Sequence, residues 1–297
     1  MNRALILAAA MLLSIFRLVG YFNEPRLTSA EIHAITGEPD GVSTSPNQAS
    51  APLTIVSWNI ERGVQYERIV STLRTLAPDI ILLQEVDRHS QRSGDRDVAR
   101  DLAHALGMNW VHAGEFQEVG EGSRDRAAVT GQAILSRSPI HDATAMVFRD
   151  QSWKWRWSPT QPRRGGRVAL RARIGGIDFV NLHLESQSND VLRQRQFAEV
   201  ASLLQDAGAV VIGGDFNFAP PAPAGFVDAL GEITVATASS RQTSMNHEHP
   251  IDWIFVKGLT TRAGRVERVA ETSDHYPVIA IGSLAPTGQI AGFGPSR

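Results

Sequence analysis

Short runs rich in β-branched residues alternate with helical patterns between residues 53 and 283, and this alternation constrains the fold most strongly. Leu53–Ile60 is typical of a strand, and apolar residues at helical spacing follow until Pro78 ends the helix. The pair Gly175-Gly176 between two apolar runs predicts a hairpin. Strands alternating with helices, combined with hairpins, predict a mixed α/β protein with more than one sheet. The other predicted strands are Ile80–Leu83, Ala133–Leu135, Val168–Ile174, Ile177–Leu184, Val210–Ile212, Ile251–Val256 and Pro277–Ile281, and further helices are predicted around Val98–Leu106 and Val191–Leu204.

The alternating region predicts a single domain at residues 53–283. Residues 23–52 before it are rich in Pro, Ser, Thr, Gly and Ala without sustained periodicity, which predicts a mostly irregular linker. Residues 284–297 have a similar composition and are predicted to form a flexible tail.

Residues 1–22 predict either a signal peptide or an N-terminal membrane anchor. A basic start at Met1–Arg3 precedes the apolar run Ala4–Phe16, which has the length of a signal-peptide core. Extended to Phe22, the run is long enough for an anchor with Arg17 near the interface. The nearest small-residue cleavage pattern, Thr28–Ala30, lies far downstream. We therefore expect an exported or membrane-attached, extracytoplasmic protein, with a buried N-terminal helix as the alternative.

Two compositional facts exclude classes of site. The chain has no cysteine, which excludes disulfides, thiolate zinc sites and cysteine nucleophiles. Its 29 Lys and Arg residues nearly balance 31 Asp and Glu residues, giving a net charge of −2. A globally basic nucleic-acid-binding protein is therefore not expected, although a local basic patch is compatible with this balance.

Acidic, amide and histidine side chains recur at the ends of the predicted strands, where α/β sheets gather their ligands. Each one alone is better explained as a turn-forming or structural residue. Together they have compatible chemistry and predict one site. These residues are Asn59, Glu61, Glu85, His183, Asp215, Asn217, Asp252, Asp274 and His275.

The segments that contain these residues resemble the endonuclease/exonuclease/phosphatase superfamily, which has the deoxyribonuclease-I-like or exonuclease-III-like fold. The matching segments, in family order, are SWNIERG, LLQEVD, GQAILSRSPI, NLHLES, GGDFNF, IDWIFV and SDHYPV. The resemblance covers roughly residues 53–282. It implies a four-layer α/β sandwich of two packed mixed β-sheets flanked by helices. It also implies hydrolysis of phosphate esters with a divalent metal, usually Mg²⁺, for which Mn²⁺ can substitute.

By this resemblance Glu85 is the main metal ligand, and Asn59 and Asp274 complete the metal sphere or hold its waters. Oxygen ligands suit Mg²⁺ independently of the resemblance. Glu61 is a further candidate, with a solvated turn residue as the alternative.

The remaining residues form a candidate catalytic cluster. Asp215 can orient or deprotonate the attacking water, and Asn217 can hold the nucleophile or a phosphate oxygen. His275 is expected to contact the phosphate with Asp252 fixing its tautomer, and His183 to donate to the phosphate or the leaving oxygen. Which residue is the general base stays open, because such groups titrate as a unit.

Two other features have competing interpretations. Between Arg149 and Arg173 there are eight basic residues against one acid, and Trp153, Trp155 and Trp157 alternate with two of the cations. This segment can bind a polyanion, rest on a lipid interface or simply cover the core. His247 and His249 are typical of a polar loop at the rim of the site, with a metal-binding pair as the alternative.

The leading functional hypothesis is a Mg²⁺-dependent phosphodiesterase, either a nuclease or a phospholipid or inositol-phosphate hydrolase. The N-terminal run adds a possible membrane association. The alternatives are a catalytically silent, membrane-attached binding module on the same scaffold and a zinc hydrolase based on the His247/His249 pair. The substrate, monoesterase activity and oligomeric state stay open.

Overall fold

A computed structural model of the chain describes residues 24–38, 52–152, 155–156, 162–186, 190–219, 234–235, 242–269 and 271–284. The predicted signal peptide or anchor at residues 1–22 and the predicted tail beyond Leu284 lie outside these residues. Among the helices of the described part, none combines the length and apolar character needed to cross a bilayer.

Most of the described chain forms two mixed β-sheets. The larger contains ten strands among the described residues, with β15-β16-β2-β3-β6-β5-β9-β8 as its path, β1 beside β5 and β4 beside β3. Its strands are β1 (Ile35–Glu38), β2 (Leu53–Arg62), β3 (Ile80–Ser90), β4 (Arg96–Asp97), β5 (Asn109–Glu118), β6 (Val129–Ser136), β8 (Trp155–Arg156), β9 (Arg163–Gly165), β15 (Leu259–Val266) and β16 (Val278–Leu284).

The smaller sheet contains six strands among the described residues, in the order β13-β14-β12-β11-β10-β7. In both sheets two neighbouring strands run parallel, β2 with β3 and β11 with β12, and the other pairings are antiparallel. The strands are β7 (His141–Val147), β10 (Val168–Ile174), β11 (Ile177–His183), β12 (Val210–Asp215), β13 (Thr234–Val235) and β14 (Asp252–Lys257).

The two sheets pack face to face, and helices cover their outer faces. Ile55 and Leu82 of the larger sheet share one buried cluster with Leu170 and Phe179 of the smaller sheet. The helices are α1 (Ser29–Ile32), α2 (Tyr66–Leu76), α3 (Val98–Leu106) and α4 (Asp190–Leu203). Helices α2 and α3 pack on the outside of the larger sheet, and α4 packs on the outside of the smaller one. This arrangement confirms the predicted four-layer α/β sandwich.

Local sequence explains where α2 and α3 begin and end. Helix α2 buries Ile69, Val70 and Leu73 on one face and ends at Ala77, which has left-handed backbone just before Pro78. Helix α3 begins after Asp97, whose side chain accepts a hydrogen bond from the backbone N–H of Arg100, and it ends at Gly107 with φ of 64°. The residues predicted to end these helices therefore do so.

The structure differs from the predicted linker over residues 24–38. This part of residues 23–52 forms α1 and β1, and β1 pairs antiparallel with β5. The linker prediction is wrong here because the segment has too few apolar residues to show a period. It is held instead by strand pairing, by one buried apolar side chain, Ile32, and by the hydrogen bonds of the buried Glu24 carboxylate.

Candidate active site

The carboxyl ends of the two parallel strand pairs meet at one edge of the sandwich. In the larger sheet Asn59 of β2 lies beside Gln84 of β3, and in the smaller sheet His183 of β11 pairs with Asp215 of β12. Asp215 in turn pairs with Asp252, the first residue of β14. We refer to this edge, on which Asn59, Glu85, His183 and Asp215 lie, as the catalytic edge.

At several site residues, irregular backbone interrupts the regular alternation of side chains between the two faces of the sheet. The pairing register shifts between Asn59 and Arg62 and again between Leu83 and Val86. Left-handed φ values occur at Glu61, Arg62, Glu85 and Asn217, at 46°, 66°, 50° and 54°. Non-glycine residues rarely adopt this conformation, and it is concentrated at functional sites because the surrounding structure must enforce it.

A buried amide pair directly below the site connects the two sheets. Gln84 Nε2 donates to Asn181 Oδ1 at 2.6 Å, and Asn181 Nδ2 donates to the carbonyl oxygens of Leu83 and Ala133 at 2.7 and 3.0 Å. Gln84 precedes Glu85, and Asn181 lies two residues before His183. The pair therefore fixes the larger sheet's metal-ligand candidate relative to the smaller sheet's histidine.

His275, Asp252 and Asp215 form a buried group on the side of the smaller sheet. His275 Nδ1 lies 2.9 Å from Asp252 Oδ2, and His275 Nε2 lies 3.8 Å from Asp215 Oδ2. Burial alone would lower the pKa of His275, but the carboxylates of Asp252 and Asp215 raise it to about 10. His275 is therefore a cation at neutral pH, with its ring oriented by Asp252.

Asp215 is the buried carboxylate between the two histidines. Its Oδ2 lies 3.4 Å from His183 Nε2 and accepts a hydrogen bond from Asn59 Nδ2 at 3.3 Å. Its Oδ1 accepts from the backbone N–H of Asn217 at 3.1 Å. Burial and the nearby charge of Asp252 raise the pKa of Asp215 to about 7, although His275 opposes the shift. Asp215 can therefore exchange a proton near neutral pH.

His183 differs from His275 in the direction of its pKa shift and therefore in its charge. Burial, together with the positive charges of Arg167 and His275, holds the pKa of His183 well below its ordinary value. Its Nδ1 is buried and has no hydrogen-bond partner among the described residues. A neutral imidazole still offers one N–H and one lone pair, so His183 can donate or accept a single hydrogen bond without adding charge.

Three carboxylates lie together on the side of the larger sheet. Burial raises the pKa of Glu61, and repulsion from Asp274 and Glu85 raises it further. Burial would also raise the pKa of Glu85, but Arg62, whose guanidinium lies 3.4 Å from Glu85 Oε2, and other cations lower it below the ordinary value. Asn246 Nδ2 donates to Asp274 Oδ2 at 3.1 Å.

Crowded oxygen donors of this kind fit a hard divalent cation, which would relieve their mutual repulsion. The predicted ligand Asn59 lies at the boundary between the two groups, because it also donates to Asp215. Among the described residues, the three side chains whose ligand atoms all lie within 4.8 Å of one another are Asp215, Asp252 and His275. We favour the carboxylate group as the cation site, because a protonated His275 already engaged by Asp252 has no free lone pair.

Hydrogen bonds between side chains and backbone groups hold Ser273–His275 against the end of β2. Ser273 Oγ donates to the carbonyl oxygen of Asn59 at 2.7 Å and accepts from the backbone N–H of His275 at 3.1 Å. Trp58 Nε1 donates to the carbonyl oxygen of His275 at 2.9 Å. Residues far apart in sequence are thereby fixed on the same edge.

Sequence reasoning did not single out a buried ion pair beside the site. Arg167 NH1 donates to Glu115 Oε2 at 3.0 Å, and both side chains are buried. The positive charge of Arg167 acts on Glu85, His183 and Asp215, as their pKa shifts indicate. Arg167 belongs to the basic segment that was noticed, but its partner Glu115 lies on β5, a strand that was not predicted.

Of the two features with competing interpretations, the structure describes the His247/His249 pair and only parts of the basic segment. His247 and His249 lie on an exposed loop next to Asn246, with ring centroids 5.8 Å apart, which fits a polar rim. Trp153, Lys154 and Trp157 lie outside the described residues. The ends of that segment are anchored, since Ser152 Oγ donates to the buried carboxylate of Glu185 at 2.7 Å and β9 pairs with β5.

The fold and site together define a hydrolase of phosphate esters. The family model described as the endonuclease/exonuclease/phosphatase family matches residues 56–275, and the chain belongs to this family. A comparison with functionally curated proteins gave no match.

Solved structures support the same fold. The human Nocturnin catalytic domain is 16% identical with a TM-score of 0.59, covering 85% of this chain and 98% of that chain. A 3'-5' exonuclease from Neisseria meningitidis is 20% identical with a TM-score of 0.54, covering 77% and 98%. A mannosyl-6-phosphatase from Bacteroides thetaiotaomicron VPI-5482 is 19% identical with a TM-score of 0.53, covering 78% and 100%.

Proposed function

We propose that the protein is a Mg²⁺-dependent phosphodiesterase that uses an activated water. The observation that carries the proposal is the position of Asp215, a buried carboxylate of raised pKa between a neutral histidine and a cationic one. A base, a cation and a neutral hydrogen-bonding group at one point match what water attack on a phosphate ester requires.

In the proposed mechanism Asp215 orients the attacking water and takes its proton. Asn217 is placed beside it, with its Nδ2 donating to the carbonyl oxygen of Leu184 and its amide oxygen left for the water or a phosphate oxygen. His275 stabilises the negative charge that develops on the phosphate, and Asp252 keeps its proton on the ring. His183 donates to the phosphate or to the leaving oxygen.

Glu85, Asn59 and Asp274 would hold the metal, with Glu61 assisting. When bound there, Mg²⁺ would supply charge stabilisation to the phosphate oxygens. Mn²⁺ has similar preferences for oxygen ligands and is expected to substitute. The crowding of Glu61, Glu85 and Asp274 supports this assignment, because nearby carboxylates that repel one another gain from a shared cation.

The test is hydrolysis of bis-p-nitrophenyl phosphate by the full chain in Mg²⁺, Mn²⁺, Ca²⁺ and Zn²⁺, with Asp215→Asn as the matched inactive variant. We expect activity in Mg²⁺ and Mn²⁺ that the variant lacks. Absence of turnover with every metal would favour the silent binding module, and activity confined to Zn²⁺ would favour the zinc hydrolase.

A further inference from the structure

The chain enters the domain at the rim of the catalytic edge. The Glu24 carboxylate accepts hydrogen bonds from the backbone N–H groups of Gly120 and Gly122, both at 3.1 Å, and from Gln117 Nε2 at 3.3 Å. Gly120 and Gly122 follow the carboxyl end of β5. Both β5 and β3 run antiparallel to β6, so this end of β5 and the carboxyl end of β3 lie on the same edge.

From Glu24 the chain runs back along β5, away from the catalytic edge. Leu27 N–H donates to Gln117 Oε1 at 3.0 Å, and β1 then pairs with β5 from Ile35 opposite Ala113 to Glu38 opposite Trp110. We call residues 24–38 the strap. Because the strap runs away from the rim, Glu24, the first described residue, lies at the catalytic edge.

The rim is close to the site. Register places Gln117, which contacts Glu24, level with Arg88, three residues past Glu85. Glu24 therefore lies about 10 Å further along the strands and two strands, about 10 Å, to the side. The apolar run Ala4–Phe22 ends two residues before Glu24. An anchor formed by that run would leave almost no spacer between the bilayer and the catalytic edge.

The strap also bears on whether the apolar run is retained. The cleavage pattern Thr28–Ala30 lies inside it, where Thr28 caps α1 in a reciprocal pair of hydrogen bonds with Glu31. Cleavage there would remove Glu24 and Leu27, whose contacts hold the strap to the rim. A protein in which Glu24 and Leu27 keep these contacts has therefore not been cleaved at Thr28–Ala30.

Exposed apolar side chains are concentrated on the same edge. The described residues include six large exposed apolar side chains, and four of these belong to the catalytic edge. Val64 follows shortly after β2, and Val191 lies in the first turn of α4. Val147 ends β7, and the strand registers place it at the same height as His183, the last residue of β11. The backbone N–H of Met245 donates to the carbonyl oxygen of Asp274. Apolar side chains around a polar mouth suit contact with a lipid interface.

We propose that the apolar run is retained as a membrane anchor, that the strap turns the catalytic edge toward the bilayer, and that the substrate is the phosphodiester of a membrane lipid. The choice of substrate rests on the proposed phosphodiesterase function, whereas the orientation does not. The alternative, a nucleic acid approaching from solution, needs no such orientation and becomes an outcome of the test.

The orientation is tested without any activity measurement. The chain has no cysteine, so a single introduced thiol can carry a fluorophore. Full-length Val64→Cys reports the catalytic edge, and His141→Cys, exposed at the opposite edge beside Arg173, is the matched control. In vesicles of phosphatidylcholine and phosphatidylglycerol with a quencher on the lipid headgroup, we expect strong quenching at residue 64 and little at residue 141. Equal or reversed quenching would overturn the orientation.

The substrate is tested with the full chain in vesicles of phosphatidylcholine, phosphatidylethanolamine, phosphatidylglycerol, phosphatidylinositol and sphingomyelin. Loss of any lipid phosphodiester is followed by mass spectrometry beside turnover of bis-p-nitrophenyl phosphate. A Gly/Ser spacer of about 20 residues inserted between Phe22 and Asn23 should lower lipid turnover about threefold or more. The spacer reduces the effective concentration of the catalytic edge at the bilayer and frees its orientation. Turnover of the soluble substrate should stay unchanged.

The outcomes separate the two proposals. Turnover of the soluble diester with intact lipids, or hydrolysis of plasmid DNA that the spacer leaves unchanged, would refute the lipid substrate and keep the phosphodiesterase. Failure on every diester would refute the proposed function, and the quenching result would still decide the orientation.

Discussion

His275 Nδ1 lies 2.9 Å from one oxygen of Asp252 and 3.1 Å from the other, so one carboxylate both orients the ring and retains its proton. Asp252→Asn should lower kcat about 10²–10⁴-fold, the range for a positioned acid–base group. Because the variant removes the main charge that raises the pKa of His275 to about 10, the alkaline limb of the pH profile should move to lower pH. Rates on bis-p-nitrophenyl phosphate across pH measure both effects, and a slow enzyme with an unmoved limb would contradict the assignment.

The acid limb should report Asp215. A base must be deprotonated to act, so activity should rise with pH through the pKa of Asp215, raised to about 7, rather than through an ordinary carboxyl pKa. Asp215→Asn, His183→Ala and His275→Ala should each lose about 10²–10⁴-fold. If the three act as a unit, the triple variant should be little slower than the slowest single variant. If the triple variant instead loses the product of the three single fold-losses, the three residues act independently.

Glu85 is the side chain on which metal binding should depend most. Glu85→Gln keeps the volume and removes the charge, so the fold should persist while activity falls at least ~10²-fold, as expected when a metal that stabilises the transition state is lost. Binding of Mn²⁺ measured by electron paramagnetic resonance gives a second readout. Glu67→Gln, at an exposed carboxylate on α2, is the control and should bind Mn²⁺ like the parent. Unchanged Mn²⁺ affinity in Glu85→Gln would refute the metal assignment.

The amide pair between the sheets should matter for stability. Asn181→Leu removes the donor to Leu83 O and Ala133 O, and each buried group left unpaired costs about 1–3 kcal/mol. Urea unfolding measures the loss. Gln65→Leu, which removes an exposed amide with no capping hydrogen bond, should change the free energy of unfolding little. Equal effects of the two variants would show that the buried pair contributes nothing specific.

The strap should be part of the cooperative fold. Glu24→Ala leaves the N–H groups of Gly120 and Gly122 without their acceptor, which should lower the free energy of unfolding by about 1–3 kcal/mol. Thermal unfolding should shift down by roughly 2–4 °C for each kcal/mol in a domain of this size. Hydrogen exchange at residues 35–38 should quicken in the variant. Parent-like protection there would mean that Glu24 does not hold the strap.

Sequence patterns identified most of the buried architecture. Val168–Ile174 was predicted at its observed bounds, and α2 and α3 end where Pro78 and Gly107 indicated. The polar residues at strand ends do converge, because parallel neighbours deliver their carboxyl ends to one edge. Their chemical roles were inferred from resemblance and stay predictions.

Strand β5 was missed for a physical reason. Strand β5 is fully buried, yet it contains Asn109, His112 and Glu115, which lie among hydrogen-bond partners rather than in water. Alternation of apolar and polar residues reveals a strand that has one solvent-exposed face, and β5 has no such face. The register shifts that turn Glu85 into the site likewise depend on neighbouring strands, so local sequence does not specify them.

Strands β1 and β9 divide one edge of β5 between them. Strand β1 covers Trp110–Ala113, and β9 covers Phe116–Glu118. A shortened chain that began at residue 50 would leave the first half of this edge with unpaired N–H and C=O groups. Such an edge readily recruits a strand from another molecule. Removing the strap would therefore expose a sheet edge that can serve as a template for self-association. The region whose composition predicts an irregular linker thus also protects the protein from aggregation.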